Sequence, residues 1–225
     1  MATDTVSARP KAEDVFAGEG DGSARHIHLI RSGENSADIA QLTPEQQRWI
    51  QALGNEYASA RKQTLLPGAE GNLAGVVLGT GNGNAGDPCG PSELLVGQVA
   101  ASAPAGVYAL SAEKIDPDLA AIAWGLGAYR YRRYKSSAPP ADIARLTMPA
   151  GADRKAVLDI IDGIWLGRDL INTPASDLGP EELEAEARAL AARHGAQISV
   201  TVGEALLEAN FPMIHAVGRA STRAP

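Results

Sequence analysis

Several stretches of this sequence carry residue types that could do chemistry. Gly81-Asn82-Gly83-Asn84-Ala85-Gly86 has the spacing G-x-G-x-x-G. Such glycines let backbone N–H groups approach a pyrophosphate, provided a strand precedes them and a helix opens at once. Here Asp87-Pro88-Cys89-Gly90-Pro91 follows, and its two prolines delay the next helix to about Ser92. The stretch therefore reads as a surface loop before it reads as a phosphate cradle. Tyr129-Arg130-Tyr131-Arg132-Arg133-Tyr134-Lys135 interleaves aromatics with cations, which could stack bases and hold phosphates. The plainer reading is a helix C-terminus, where cations meet the dipole and tyrosines pack through their rings.

His26 and His28 are two apart, so a strand would put both on one face, as metal ligands sometimes are. No third donor lies near them in sequence. His215, inside Met213-Ile214-His215-Ala216-Val217, reads as a core histidine, and His194 as a cation at a helix end. Ser221 has no sequence neighbour that marks it as a nucleophile. The acids from Asp159 to Glu208 fall on expected helices, caps and a turn, at spacings that solvation, capping or pairing explains; Glu184 and Arg188 are four apart. No catalytic, cofactor-binding or metal-binding residue is assigned.

The elements that would position these residues follow from pattern. Residues 1–24 read as a flexible tail. His26 to Ile30 is a short strand. Thr43-Pro44-Glu45-Gln46 has capping-box spacing and opens a helix through Trp49, Ile50 and Leu53 that stops at Gly54. Gln63 to Pro67 and Leu73 to Leu78 read as strands, followed by a small helix over Ser92 to Ala100 and a strand at Val107 to Leu110. Asp116-Pro117-Asp118 caps a helix with Leu119, Ile122, Ala123, Leu126 and Tyr129 on its stripe. Ser136 to Pro140 is a linker by composition.

Asp153 caps a helix to about Ile171, apolar around most of its circumference, which predicts a buried helix bridging two domains. Asn172-Thr173-Pro174 stops it. Gly179-Pro180 opens another, with Glu181 and Glu182 in its first turn, Arg193 in its last and Gly195 as its stop. Gln197 to Val202 alternates as a half-buried strand. Strands alternating with helices imply an α/β fold.

Composition narrows the function classes. The chain has 225 residues, 44% of them hydrophobic, and a net charge of −7. That charge argues against nucleic acid or an anionic membrane as the main partner. No run approaches the roughly 18 apolar residues of a membrane helix, and Met1 to Gly22 has no apolar core like that of a secretory signal. A single cysteine, Cys89, excludes an intramolecular disulfide and any cysteine-rich zinc site. A reducing cytoplasm fits.

The last third also carries a resemblance. Asp162-Gly163-Ile164, Arg168-Asp169-Leu170-Ile171-Asn172-Thr173-Pro174-Ala175, Gly179-Pro180 and Ala216-Val217-Gly218-Arg219-Ala220-Ser221 with Pro225 resemble the start of the catalytic domain of the leucyl aminopeptidase (cytosol aminopeptidase) family. The resemblance implies a metal-dependent exopeptidase that removes N-terminal residues from peptides. Two divalent metals, manganese or zinc, would activate the attacking water. It also implies a cytoplasmic homohexamer.

The family's lysine, aspartates and glutamate that hold the metals lie beyond Pro225, so the chain alone is expected to bind no metal and to be inactive. The expected organisation is a tail at 1–24, an N-terminal α/β domain at 25–140, a linker and bridging helix at 141–171, and the incomplete start of a catalytic domain at 172–225. Two other readings stand beside it: a nucleotide- or ADP-ribose-binding α/β module using the Gly81 loop, and a non-catalytic partner that assembles with complete subunits.

Overall fold

The computed structural model describes residues 11–18, 22–33, 37–82, 92–111, 115–135 and 142–221. The expected linker at Ser136 to Pro140, most of the glycine loop and Cys89 lie outside them. The chain folds as two compact units, Met1–Leu166 and Gly167–Pro225.

The first unit is built on five strands, β1 (Arg25–Ile30), β2 (Gln63–Pro67), β3 (Leu73–Gly79), β4 (Gly106–Ser111) and β5 (Ala144–Leu146). Their order across the sheet is β2-β3-β1-β4-β5. β1 runs parallel to β3 and β4, β4 parallel to β5, and β2 antiparallel to β3. Between the strands lie α1 (Ala37–Ala40), α2 (Pro44–Ala52), α3 (Val96–Ser102) and α4 (Pro117–Ala128), and α5 (Arg154–Asn172) follows β5. The sheet thus joins an α/β fold, as the alternation of strands and helices requires.

Both faces of the central strands are covered, which is why Val76, Val77 and Leu78 are consecutive and fully buried. On one face Ile27, Val76, Leu78, Tyr108 and Leu146 pack with Val96, Val99, Trp124 and Ile161. On the other Ile30, Leu66 and Val77 pack with Leu42, Ile50 and Tyr57. α3 and α4 approach until their backbones nearly touch. A Cβ on Gly127 would lie 1.8 Å from the Gly97 oxygen, and one on Gly97 would lie 2.5 Å from the Ala123 oxygen. Only glycine permits this crossing.

Local signals placed the starts of α2, α4 and α5 correctly. The Thr43 hydroxyl accepts from the Gln46 amide at 3.3 Å while the Thr43 amide donates to Gln46 Oε1 at 3.1 Å. Asp116 Oδ1 accepts from the Leu119 amide at 3.0 Å and Asp153 Oδ1 from the Ala156 amide at 3.0 Å. The edge strand β2 is closed along part of its length by α2. Trp49 Nε1 donates to the Leu65 oxygen at 3.1 Å and Gln46 Nε2 to the Pro67 oxygen at 3.4 Å.

Three expectations need correction. Residues 11–18 are not tail. Ala12, Val15 and Phe16 are buried in the main core, Phe16 pairs with Leu146, and the Val15 oxygen accepts from Trp124 Nε1 at 2.9 Å. The signal was the i, i+3, i+4 spacing of the three apolar residues in a short 3-10 turn, Ala12–Val15.

α5 is not buried all round. Val157, Ile161 and Trp165, four apart, face the core and Leu158 packs beside them, while Ile160 and Ile171 are exposed; one apolar stripe suffices. The division between the two units falls inside this helix.

The expected strand at Gln197 to Val202 is irregular, with Ile198, Val200 and Val202 exposed. A strand exists only through a neighbour's ladder, and none of the described residues supplies one.

The second unit is helical among its described residues: α6 (Pro180–His194), α7 (Ala205–Glu208) and α8 (Pro212–Gly218) follow the end of α5. α6 starts and stops as its sequence dictates. The Gly179 amide donates to Glu182 Oε2 at 2.7 Å, and Gly195, at φ 64°, closes the helix in the left-handed region.

Candidate functional site

In a sheet of this order the chain leaves β1 toward β2 and β3 on one side, and leaves β4 toward β5 on the other. The crevice at the carboxyl ends of β1 and β4 is the usual ligand position in such folds. His28 lies beside Ser111 across that junction and beside Val77 on the other side. His26, on the same face two residues back, has its Nδ1 2.7 Å from Ser111 Oγ, and the two imidazole centroids are 6.1 Å apart. His28 is buried, and its Nδ1 has no hydrogen-bond partner among the described residues. Burial, and secondarily the neighbouring His26, lowers its pKa below the ordinary histidine value.

The shared face predicted from sequence is therefore real, but among the described residues no three His, Cys, Asp or Glu side chains come together to hold a metal ion. The described residues around His26 and His28 do not fit a metal centre.

The start of the glycine loop is committed to main-chain bonds. The Gly81 amide donates to the Ala58 oxygen at 3.0 Å, the Thr80 amide to the Ile30 oxygen at 2.9 Å, and the Ser32 amide to the Gly81 oxygen at 2.7 Å. An amide already donating within the fold is not open to a phosphate. The remaining glycines of the motif, Gly83 and Gly86, lie outside the described residues.

The aromatic and cationic run also has structural work. α4 ends at Ala128, one residue before the run. Arg130 then turns back on two helix ends: Nη1 donates to the Gly127 oxygen at 2.7 Å and Nη2 to the Ala101 oxygen at 2.7 Å. One side chain thus serves the carbonyl ends of both α3 and α4, a stronger form of the expected capping role. Tyr131 and Tyr134 meet edge to face at 6.0 Å.

In the second unit, the histidine expected in a core is held differently. His215 Nε2 lies 3.2 Å from Glu204 Oε1, while Met213, Ile214 and Val217 of the same helix are exposed. His194 stands in the last turn of α6, as expected. Arg188 Nε donates to Glu184 Oε1 at 2.7 Å, and Asp162 Oδ1, on α5, accepts from the Ala12 amide at 3.1 Å. Ser221 closes a turn on the Gly218 oxygen at 2.9 Å. These acids cap and pair. Sequence reading missed β5, α1 and the helices α7 and α8. β5 has only three residues, and Pro212 at the start of α8 was the one available signal.

Comparison with known proteins finds a match in each part of the chain. Residues 26–149 match the M17 aminopeptidase N-terminal domain, and residues 165–225 match the catalytic domain of the cytosol aminopeptidase family. The chain belongs to the cytosol aminopeptidase family.

A probable cytosol aminopeptidase of Streptomyces griseus is 31% identical over 194 residues, covering 72% of this chain and 38% of that protein. A probable cytosol aminopeptidase of Corynebacterium glutamicum is 31% identical over 209 residues, covering 88% of this chain and 39% of that protein. The crystal structure of a cytosol aminopeptidase from Coxiella burnetii is similar with a TM-score of 0.78 and 29% identity, covering 94% of this chain and 44% of that one. The bottromycin maturation enzyme BotP shares the fold with a TM-score of 0.66 and 25% identity, covering 90% of this chain and 44% of its own. A further BotP structure, at 23% identity and a TM-score of 0.65, is in complex with Mn. The chain spans about two fifths of the length of the curated relatives it matches. Among the described residues no helix is long and apolar enough to cross a membrane.

Proposed function

We propose that this chain is the N-terminal portion of a metal-dependent aminopeptidase that removes N-terminal residues from peptides. The observation that carries the reading is the ordered pair of matches, N-terminal domain then catalytic domain, on one chain. The complete enzyme would use two divalent metals, manganese or zinc, and the Mn complex of the similar BotP favours manganese. Its substrates would be peptides, its assembly a homohexamer and its compartment the cytoplasm, all by membership of the family.

The 225 residues would not themselves perform the reaction. Metal-assisted hydrolysis needs ligands fixed around an open coordination position and a shell that orients them. Asp159 and Asp162 of α5 and Glu182 and Glu184 of α6 are instead engaged with partners inside the fold. The committed amides at Ser32, Thr80 and Gly81 disfavour the nucleotide-binding alternative.

The test is an assay of the purified chain on leucine amide substrates with manganese, zinc or cobalt supplied. The expected result is no turnover above the enzyme-free control. Chelator-sensitive turnover from a preparation shown by mass to contain this chain alone would sink the proposal.

A further inference from the structure

Two stretches of the second unit present to water what a folded domain keeps from it. On α8 the sheltered side chain is a histidine. His215 is 12% exposed and lies 3.2 Å from Glu204 Oε1. Met213 and Val217, four apart, are 78% and 76% exposed, and Ile214 beside them is exposed as well. The helix is amphipathic the wrong way round for a surface helix, with its apolar stripe outward. Residues 197–202 make no main-chain hydrogen bond to any described residue, and Ile198, Val200 and Val202, alternate along them, are all exposed. The whole chain is 21% charged, yet residues 197–202 and 211–218 include no Asp, Glu, Lys or Arg.

We propose, resting on the aminopeptidase reading, that these two stretches are the docking surface for the rest of a cytosol aminopeptidase catalytic domain. That partner lays a β-strand along residues 197–202 and covers the apolar stripe of α8.

Chemistry and length name the occupant. A stretch whose main chain bonds to no described residue takes an added strand, whose backbone supplies the bonds and whose side chains sit beside Ile198, Val200 and Val202. An uncharged apolar stripe takes a dry apolar partner, as the centres of stable interfaces do. Both stretches lie within residues 165–225, which match the catalytic domain of the family. The chain covers 38% of the Streptomyces griseus relative and 44% of the Coxiella burnetii structure. More than half of each relative therefore lies outside the match, ample for both roles. The other candidate occupant, a second copy of this chain, is separated by concentration.

The experiment compares hydrogen exchange in the chain alone with exchange in the same chain joined, in one polypeptide, to the part of the Streptomyces griseus relative that follows its matched stretch. On joining, the amides of residues 198–202 should slow by about a hundredfold or more. Val217→Lys should leave the chain alone unchanged, since the side chain is exposed there. In the joined protein it should cut that protection by about tenfold or more, because it buries an unpaired charge. Leucine amide hydrolysis with manganese, measured on the same joined protein, separates this surface from the aminopeptidase reading. Protection without turnover would uphold the docking surface and count against the peptidase. Turnover with residues 198–202 exchanging as they do in the chain alone would overturn the docking surface and leave the peptidase standing. Absence of protection on joining would overturn it too. Protection already present in the chain alone, and rising with its concentration, would give the surface to a second copy and overturn the proposal.

Discussion

The two units of this chain obey the same local rules and reach different degrees of burial. Through Leu166, side chains from every strand are removed from water, and Ile161, Trp124 and Tyr108 are fully buried. From Gly167 onward, Thr173 and Leu206 are the only described residues that reach comparable burial. Yet α6 in the second unit has its proline start, its acidic first turn, its cations in the last turn and its left-handed glycine stop. The contrast separates two sources of order. Capping and dipole interactions act within a few residues and specify where a helix begins and ends. They do not supply the apolar contacts that dominate folding, and they cannot make a strand.

The comparison can be broken by substitution. The largest effect is expected at Ile161, where alanine should cost about 2–5 kcal/mol, the range for emptying a core site. The matched change at Ile171, 84% exposed, should stay within about 0.5 kcal/mol. Denaturant melts of the two variants test the pair, and equal losses would erase the distinction between the units. Gly127→Ala should follow at about 1–3 kcal/mol, because its Cβ meets the backbone of α3 and no side chain can swing aside. A melt unchanged by that substitution would show that the two helices separate freely.

A smaller effect depends on pH. The His28 pKa is lowered by burial and then by His26, so the unfolded chain takes up that proton more readily. Its contribution to stability is therefore intact above the ordinary histidine pKa of about 6.5 and declines as pH falls below it. Denaturation midpoints should drop between neutral pH and about pH 5, and His28→Leu should flatten the curve. An unchanged slope would assign the dependence to other groups. The smallest effect is expected in the second unit at the exposed pair on α6: Arg188→Ala should cost about 0.3–0.5 kcal/mol, and screening by salt should remove it. A larger, salt-insensitive loss in the same melts would mean the side chain packs there.

The parts of the fold that sequence made legible are those written in short range. The capping box at Thr43, the aspartates at positions 116 and 153, and Gly195 each specify a helix boundary through atoms three or four residues apart. The core strands were legible because Leu73 to Leu78 is a run of small and aliphatic residues. What escaped was long range. The burial of Val15 depends on Trp124, more than a hundred residues away, and the double helix-end role of Arg130 depends on how α3 meets α4. Gln197 to Val202 misled for the converse reason, since alternation describes what a strand would bury and says nothing of whether a neighbour exists. The histidine pair was placed on one face correctly, but its setting beside Ser111 required the register of three strands.

One modest feature of β2 bears on how this protein meets other chains. The Leu65 and Pro67 oxygens are occupied by side chains of α2, and Pro67 has no amide hydrogen to offer. A visiting strand would have to displace an indole and an amide before gaining its own main-chain bonds, and at Pro67 it would still lack a donor. Crowded copies of the domain therefore gain little by lying side by side along that border.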